Sequence, residues 1–284
     1  MDSSSSHSMP RPDYAMKDPL KLIPLTDPNS DRPLLIYFPG MDGSGVLIEP
    51  QLPSLRSAFE VWGLAIPPHD RRSWAALVAD GAELLYRFRR KTRRPLYLCG
   101  ESFGGCLALH LVETHPHLCD RLILINSASA FEHQHLLRWS VPLVQWFAPS
   151  LYTVATQGLL PFLADWERVP SPHRHLLLRA MQAVKPESAA WRLSLLDRPE
   201  LVRSPIPHPT LIIAAANDRL LPSVEESQRL AEHCPHNQCI ILPESGHTCL
   251  LEPDINLMGL FKQADFWPQG ISGRVPTEIL LSLK

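Results

Sequence analysis

The stretch from Leu96 to His110 restricts the fold of this chain more than any other. A short apolar run, Leu96–Cys99, meets Gly100-Glu-Ser-Phe-Gly104, and an apolar, helix-compatible run follows. The order strand, G-x-S-x-G, helix is typical of a serine that sits on a strained turn with its hydroxyl exposed. The pentapeptide fixes only three positions, so a helix start that shares this spelling by chance is the alternative. The rest of the chain must therefore supply an acid, a base and an oxyanion site.

Strand-like and helix-like segments alternate from Leu20 onward, which predicts an α/β fold with a mostly parallel sheet and helices on both faces. The expected strands lie at Pro33–Phe38, Glu60–Ile66, Leu96–Cys99, Arg121–Asn126, Thr210–Ala215 and Gln238–Leu242. One expected helix follows the G-x-S-x-G turn directly, and the others lie near 73–89, 223–233 and 253–264. The long segment between Ser127 and Pro207 is large enough for a helical cap.

Composition limits the class of protein. The chain has 284 residues, of which 45% are hydrophobic, and a net charge of 27 − 29 = −2, so no global charge favours nucleic acid. We expect a disordered tail at 1–15, one domain at 16–270 with its cap at about 129–206, and a C-terminal tail at 271–284. The N-terminal residues lack the apolar segment of a secretory signal. Six cysteines without a C-x-x-C pair favour a reducing compartment, so we expect a cytoplasmic protein.

A glycine-rich loop, Gly40-Met-Asp-Gly-Ser-Gly45, follows the first buried strand. Its order is G-x-x-G-x-G, which does not match the dinucleotide pattern G-x-G-x-x-G, and the next strand ends in Ile66-Pro-Pro68 without an acidic residue for a ribose. The lysine of a phosphate-binding P-loop is absent as well. We expect this loop to face Ser102 and to lend a backbone N–H to an oxyanion, as the corresponding loop does in α/β hydrolases.

An acid and a histidine follow two late strands. Asp218 comes after the strand that ends at Ala215, and His247 comes after the strand that ends at Leu242. The chain order Ser102, Asp218, His247 has separations of 218 − 102 = 116 and 247 − 218 = 29 residues. All three lie where parallel strands end, which is where open α/β sheets bind ligands. Taken singly, Asp218 could be a turn residue and His247 a surface histidine, but their order with the serine favours a site.

The chemistry explains why these residue types belong together. A serine hydroxyl attacks poorly until a base takes its proton. We expect His247 to be that base, Asp218 to fix its tautomer, and the N–H groups of Phe103 and Met41 to bind the oxyanion. An H-x4-D pair, His115 and Asp120, matches glycerolipid acyltransferases but precedes a strand, so we interpret it as accidental.

Four segments together resemble the hydrolase half of the phytyl ester synthase family: Phe38–Gly45, Gly100–Leu109, Asn217–Ser223 and Gly246-His247. The resemblance spans roughly residues 30–267. Members are plastid or cyanobacterial esterases and transacylases that move fatty acyl groups from lipids and thioesters to phytol or other alcohols. The resemblance implies the α/β-hydrolase fold, with the cap inserted before the strand that carries the acid, and the triad Ser102, Asp218, His247. Plant members carry a further acyltransferase-like domain, whereas the chain ends at Lys284, so we expect hydrolysis rather than transacylation.

Two surface features have competing interpretations. Ser140–Ala164 has no charged residue over 25 positions, but its prolines and its place between two strands of one sheet favour a lid over a membrane span. We expect Trp146, Phe147 and Phe162 to line the acyl-binding side of this lid. Arg87–Arg94 holds six cations in eight positions, either as a patch for an anionic membrane or as a solvated helix end, and we favour the second.

These observations predict a serine esterase that acts on lipophilic acyl esters. We expect no metal or organic cofactor, no nucleic acid and no obligate protein partner, and we leave open a peripheral contact with an internal membrane. A thioesterase would use the same residues, as would a carboxylesterase for small substrates. From another class, a ligand receptor on the same fold remains the alternative.

Overall fold

The computed structural model describes residues 18–29, 31–129, 158, 160–197 and 204–268, and within them it contains a seven-stranded sheet. The strands are β1 (Lys21–Pro24), β2 (Leu34–Phe38), β3 (Glu60–Ala65), β4 (Leu96–Glu101), β5 (Arg121–Ile125), β6 (Thr210–Ala215) and β7 (Asn237–Leu242). Their order across the sheet is β1-β3-β2-β4-β5-β6-β7. Only β1 runs antiparallel, so the expectation of a mostly parallel sheet is confirmed.

The labelled helices of the described residues follow the strands in the expected alternation. They are α1 (Leu52–Leu55), α2 (Trp74–Lys91), α3 (Phe103–Thr114), α4 (Ser171–Ala183), α5 (Pro186–Leu196), α6 (Ser223–His233) and α7 (Leu257–Gln263). Short 3₁₀ turns lie at Val46–Gln51, Pro116–Leu118 and Cys249–Leu251. Among the described residues, no helix is both long and apolar enough to cross a membrane.

The strands carry apolar side chains at nearly every position because helices cover both faces of the sheet. Alternate residues of β2 show the division: Leu34, Ile36 and Phe38 belong to the core cluster that includes α2 and α3, while Leu35 and Tyr37 belong to the cluster that includes α1 and α7. Because successive side chains of a strand point to opposite faces, one short strand contributes to both cores. The sheet is thereby fixed between two helix layers, and its carboxyl edge can carry polar groups.

Two helix boundaries illustrate the local determinants. The helix α2 begins after Ser73, whose hydroxyl accepts from the N–H of Ala76, and it runs to Lys91, two residues beyond the expected end. The closing helix α7 was expected from Pro253, and that start is wrong. The helix begins at Leu257 because the side chain of Asn256 caps it by accepting from the N–H of Gly259 at 2.9 Å.

The helices α4 and α5 lie between β5 and β6, where a cap before the acid-bearing strand was expected. A third apolar cluster joins this cap to the sheet domain; its buried members are Leu47, Ala164, Val169, Leu177, Ala180 and Leu251. Leu47 and Leu251 belong to the loops after β2 and β7. The cap therefore packs directly on the two loops that flank Ser102.

The basic run at the end of α2 is engaged in structural ion pairs. Arg89 lies 2.6 Å from Asp120, and Arg94 lies 2.8 Å from Glu60, whose side chain is almost fully buried. The carboxylate of Asp120 also accepts from the N–H of Leu96 at 2.7 Å. Arg94, the last residue of the run, is thus bound at the amino end of the sheet. Asp120 has structural partners there, so its presence is explained without a second catalytic site.

Candidate active site

Ser102 lies between β4 and α3 with φ 52° and ψ −115°, a backbone conformation that residues other than glycine rarely adopt. Close packing on both sides enforces it. A Cβ atom at Gly100 would lie 2.5 Å from the carbonyl oxygen of Gly104, and one at Gly105 would lie 2.8 Å from Ser127 Oγ. The N–H of Ser102 donates to Ile125 at 3.0 Å, which fixes the turn to β5. The strained turn expected from the G-x-S-x-G pattern is present.

The glycine-rich loop after β2 lies beside this turn. A Cβ atom built on Gly40 would lie 3.8 Å from Ser102 Cβ, so the loop backbone is the wall next to the serine. The N–H of Gly43 donates to Gly40 at 3.0 Å and closes a tight turn around Met41. Phe103 is the first residue of α3, so its N–H has no acceptor within the helix. The two expected oxyanion residues, Met41 and Phe103, are thus on the two segments that border Ser102.

Ser102, His247 and Asp218 form one hydrogen-bonded chain. Ser102 Oγ lies 3.1 Å from His247 Nε2, and His247 Nδ1 lies 2.8 Å from Asp218 Oδ2. The side chains of His247 and Asp218 are 5% and 1% exposed, so the ion pair is screened from water. Residues 145 positions apart meet because β4, β6 and β7 end at the same edge of the sheet.

Asp218 is held as an anion. Burial by itself would raise its pKa, but the positive charge of His247 and hydrogen bonds from His247 and Ser223 outweigh burial, and the pKa is lowered. The N–H groups of Leu220 and Leu221 each donate to Asp218 Oδ1 at 2.9 Å. Since Oδ1 is occupied by the backbone, Oδ2 is directed to the imidazole.

The pKa of His247 is shifted in the opposite direction from that of Asp218. Burial alone would lower its pKa, but the carboxylate of Asp218 and, more weakly, that of Glu101 raise it above its ordinary value. The imidazole is therefore a stronger base than an isolated buried histidine. Its ring orientation is set by the Asp218 hydrogen bond, which leaves Nε2 for the serine.

Glu101, immediately before the serine, was not singled out from the sequence. Its side chain is buried, and burial raises its pKa to about 7, although a hydrogen bond from Tyr37 opposes that rise. The only signal was a carboxyl group at the end of an otherwise apolar strand. Its partner on β2 could not be inferred, because β3 separates β2 from β4 in the chain.

Asn126 is a second residue that sequence reasoning missed. It follows β5 with φ 43°, its Nδ2 donates to the carbonyl of His247 at 2.7 Å, and its Oδ1 accepts from the N–H of Ala215 at 2.8 Å. One amide thus ties the histidine loop to the strand that leads to Asp218. A polar residue directly after an apolar strand was the available signal.

The cap is bonded to the histidine loop. Arg168 lies 3.0 Å from Glu252, whose other oxygen accepts from the N–H of Gly246 at 2.9 Å. The N–H of Thr248 donates to the carbonyl of Leu163 at 3.0 Å. The residues on both sides of His247 are therefore held by the cap.

The lid residues expected to contact substrate are only partly covered by the structure. Phe162 lies in the cap beside Leu163 and is 47% exposed. Trp146 and Phe147 lie outside the described residues, so their role stays a prediction. Within the described ranges no three histidine, cysteine or acidic side chains gather as metal ligands.

Comparison with known proteins places the chain in a family. The model described as serine aminopeptidase, S33, matches residues 68–254. Phytyl ester synthase 1, chloroplastic, of Arabidopsis thaliana is 31% identical over 266 residues, which cover 83% of this chain and 37% of that protein. A putative carbamate hydrolase RutD of Stutzerimonas stutzeri is 28% identical, with 76% of this chain and 85% of that protein covered. The chain thus spans well under half the length of the phytyl ester synthase it matches.

Solved structures agree on the fold. An esterase of Thermogutta terrifontis superposes with a TM-score of 0.66 at 18% identity, covering 86% of this chain and 92% of that one. At that identity the likeness bears on the fold alone. With the family match over residues 68–254, the parallel sheet and the cap, the chain belongs to the serine aminopeptidase S33 family of α/β-hydrolase type.

Proposed function

We propose that the protein is a serine hydrolase that cleaves fatty acyl groups from lipophilic esters through an acyl-enzyme. The observation that carries this proposal is the hydrogen-bonded chain from Ser102 through His247 to Asp218. Nucleophile, base and orienting acid are within hydrogen-bond reach of one another, which is the arrangement that covalent acyl transfer requires.

Each residue has a defined task. His247 Nε2 takes the proton of Ser102 Oγ as the oxygen attacks the ester carbonyl, and Asp218 stabilises the imidazolium that forms. His247 then returns the proton to the leaving alcohol, and the acyl group stays on Ser102. A water molecule, deprotonated by the same imidazole, attacks the acyl-enzyme and releases the fatty acid. Attack by an alcohol in place of water gives transfer, the minor outcome we expect.

The oxyanion of each tetrahedral intermediate is bound by the N–H groups of Phe103 and Met41. Phe103 lies at the start of α3, where the helix dipole adds partial positive charge to its N–H. This position supports the role of Phe103 as the first donor. The closeness of the Gly40 backbone to Ser102 supports the second. Loss of one such donor typically costs about 10²–10³-fold in kcat.

The acyl-ester substrate class rests on the cap and on the relatives. Phe162 and Trp166 are the exposed large apolar side chains of the described cap, and the phytyl ester synthase likeness covers the sheet domain. A long acyl chain gains about 0.8 kcal/mol per buried methylene, so an apolar cap distinguishes fatty esters from acetyl esters.

Fluorophosphonate labelling tests the nucleophile. We expect covalent labelling and ester hydrolysis in the wild type, and their loss in Ser102→Ala, which removes about 10⁶-fold of turnover in such enzymes. Ser54→Ala is the matched control, because Ser54 lies in α1 and its hydroxyl donates to the carbonyl of Gln51 at 2.9 Å. Labelling that survives in Ser102→Ala would remove the serine from this role.

A series of p-nitrophenyl esters from acetyl to palmitoyl tests the substrate class at matched detergent concentration. We expect kcat/KM to rise with chain length, and Phe162→Ser to flatten the rise while acetyl-ester turnover persists. A preference for acetyl or butyryl esters would indicate a carboxylesterase. Preference for acyl-thioesters would indicate a thioesterase, and binding without turnover of any acyl donor would indicate a receptor.

A further inference from the structure

Arg192, a residue of the cap, places a buried positive charge against the loop that follows β2. Arg192 of α5 is 2% exposed, and its guanidinium donates through Nη1 to the carbonyl of Met41 at 2.6 Å and through Nη2 to the carbonyl of Pro67 at 2.9 Å. A permanently charged group taken out of water is costly unless it is hydrogen-bonded. Its placement against backbone carbonyls, where an apolar side chain could have filled the space, therefore indicates a task at this loop.

The carbonyl of Met41 belongs to the central peptide of its turn. The hydrogen bond from Gly43 to Gly40 closes the turn, and Met41 and Asp42 are its two central residues. The orientation of the peptide between such central residues distinguishes turn types that keep the same closing bond, so a rotation of this peptide would change the turn. Arg192 opposes the rotation, because the carbonyl of Met41 would leave the guanidinium.

Arg192 also fills the space beneath this turn. A Cβ atom on Gly43, which has φ 70°, would lie 3.0 Å from Arg192 Nη1 and 2.9 Å from the carbonyl of Ile66. The guanidinium is thus wedged between the turn and the end of β3. Departure of α5 would leave the turn with the Ile66 backbone but without the guanidinium on this side.

The guanidinium of Arg192 lies within electrostatic reach of Asp42. That carboxyl group is buried in the turn; burial raises its pKa, while hydrogen bonds from Ser44 and the positive charge of Arg192 oppose the rise. A carboxylate one residue from the proposed oxyanion donor disfavours a second negative charge nearby. A cation held against the same turn offsets that repulsion.

We propose that Arg192 is a positioning residue, which from the cap holds the carbonyl of Met41 and so fixes the turn that carries the proposed oxyanion donor, the N–H of Met41. It does not contact the reacting atoms. The inference rests on the proposed serine hydrolase function. It links the seating of α5 to the formation of the oxyanion site, so the cap acts on the chemistry as well as on substrate access.

The test compares Arg192→Met, Arg192→Lys and the control Trp191→Phe. Trp191 is the next residue on α5, and its Nε1 donates to the carbonyl of Arg72 at 2.9 Å, so the control removes a cap contact that does not reach the turn. The measurements are kcat and KM for one p-nitrophenyl ester, the inhibition constant of an alkyl boronic acid that forms a tetrahedral adduct with the serine, and the urea midpoint.

We expect Arg192→Met to lower kcat by about 10²-fold, the scale of one lost oxyanion donor, with KM changed less than threefold. Boronic acid affinity should fall by a similar factor, because the adduct uses the same donors. Arg192→Lys keeps the charge but cannot bond both carbonyls, so we expect a loss of about tenfold and a urea midpoint near that of the control.

Equal kcat and equal boronic acid affinity in Arg192→Lys and Trp191→Phe would overturn the inference, and this comparison stands even if Arg192→Met does not fold. A rise in KM alone would also overturn it, since that indicates lost substrate binding. If the wild type turns over no acyl donor at all, the proposed function fails first, and that outcome is separate.

Discussion

The hydroxyl of Tyr37 donates a hydrogen bond to the carboxyl group of Glu101, the residue before Ser102. This pair places a second acid within electrostatic reach of His247, in addition to Asp218. Other titratable groups around Glu101 are Asp42, Cys99 and Cys249. The imidazole therefore titrates in a field to which more than one carboxyl group contributes.

Replacement of Glu101 by glutamine should move the pH profile. The amide keeps an acceptor for Tyr37 but never carries a charge, whereas the carboxyl group of Glu101, with a pKa of about 7, is ionised above that pH, so the pKa of His247 falls in the variant. Because the imidazole must be neutral to accept a proton, activity is lost as the pH drops through that pKa. We expect the acid limb of kcat/KM to shift to lower pH in Glu101→Gln.

The control for this shift is Glu244→Gln, on the same loop as His247 but 74% exposed at its side chain, where charge is screened by water. Its profile should match that of the wild type. An acid limb that stays in place in Glu101→Gln would show that the carboxyl group does not influence the base.

Gly104 should not tolerate alanine. A Cβ atom there would lie 2.1 Å from the carbonyl oxygen of Phe38 and 2.5 Å from that of Pro39, and backbone atoms cannot move aside cheaply. We expect Gly104→Ala to destabilise by at least the 1–3 kcal/mol typical of overpacking. Urea denaturation measures the change.

Gly81→Ala is the comparison, because Gly81 also lies in a helix but its Cβ would be 3.4 Å from a flexible leucine side chain, Leu111. Alanine favours a helix over glycine by up to about 1 kcal/mol, so this variant should be neutral or more stable. Equal effects of the two substitutions would contradict the close approach of α3 to β2.

Asp218 and His247 should act as one unit. We expect Asp218→Asn to reduce kcat by about 10⁴-fold, because the amide supports the wrong tautomer, and His247→Ala to reduce it at least as much. The double variant should be little less active than His247→Ala, because Asp218 has no imidazole left to orient once His247 is removed. Steady-state kinetics on one ester measures kcat for the two single variants and the double variant. If the two single losses in kcat multiply in the double variant, Asp218 does not act through His247.

Arg168 should matter for stability through Glu252. The carboxyl group of Glu252 is 1% exposed at its side chain, and Arg168→Met leaves it with the N–H of Gly246 as its remaining described donor. We expect a loss of about 1–3 kcal/mol in the free energy of unfolding, the usual cost of an unpaired buried polar group.

Arg168 also pairs with Asp254, which is 55% exposed at its side chain, so Asp254→Asn serves as the control. Exposed pairs contribute about 0–1 kcal/mol, and we expect a change within that range. If Arg168→Met and Asp254→Asn lower the free energy of unfolding equally, the buried Glu252 contributes no more to stability than the exposed Asp254.

Much of the site could be predicted from the sequence because its evidence is local. Ser102, Asp218 and His247 each follow an apolar run, and parallel strands bring such positions to one edge. The structure places the three side chains in contact, although their roles stay a proposal. The start of α7 could not be predicted as well, because Pro253 resembles a first helical residue while Asn256 provides the cap.

The supporting contacts could not be predicted, because they join segments that the sequence does not pair. Tyr37 meets Glu101 only because β2 neighbours β4 directly, with register Tyr37 to Cys99. Arg192 reads as an ordinary helix-surface cation until the cap is seated on the loop after β2. Such contacts depend on tertiary packing, which residue type and periodicity leave open.

The place of β7 at the end of the described sheet has a consequence for how the protein fails on heating. A terminal strand has one neighbour, here β6, and local opening of such a strand needs less free energy than unfolding of the sheet. His247 follows β7, and Asn126 is the latch that holds its loop to the interior. Inactivation can therefore precede melting, and the temperature at which turnover disappears depends on how firmly β6, Asn126 and the cap hold this edge.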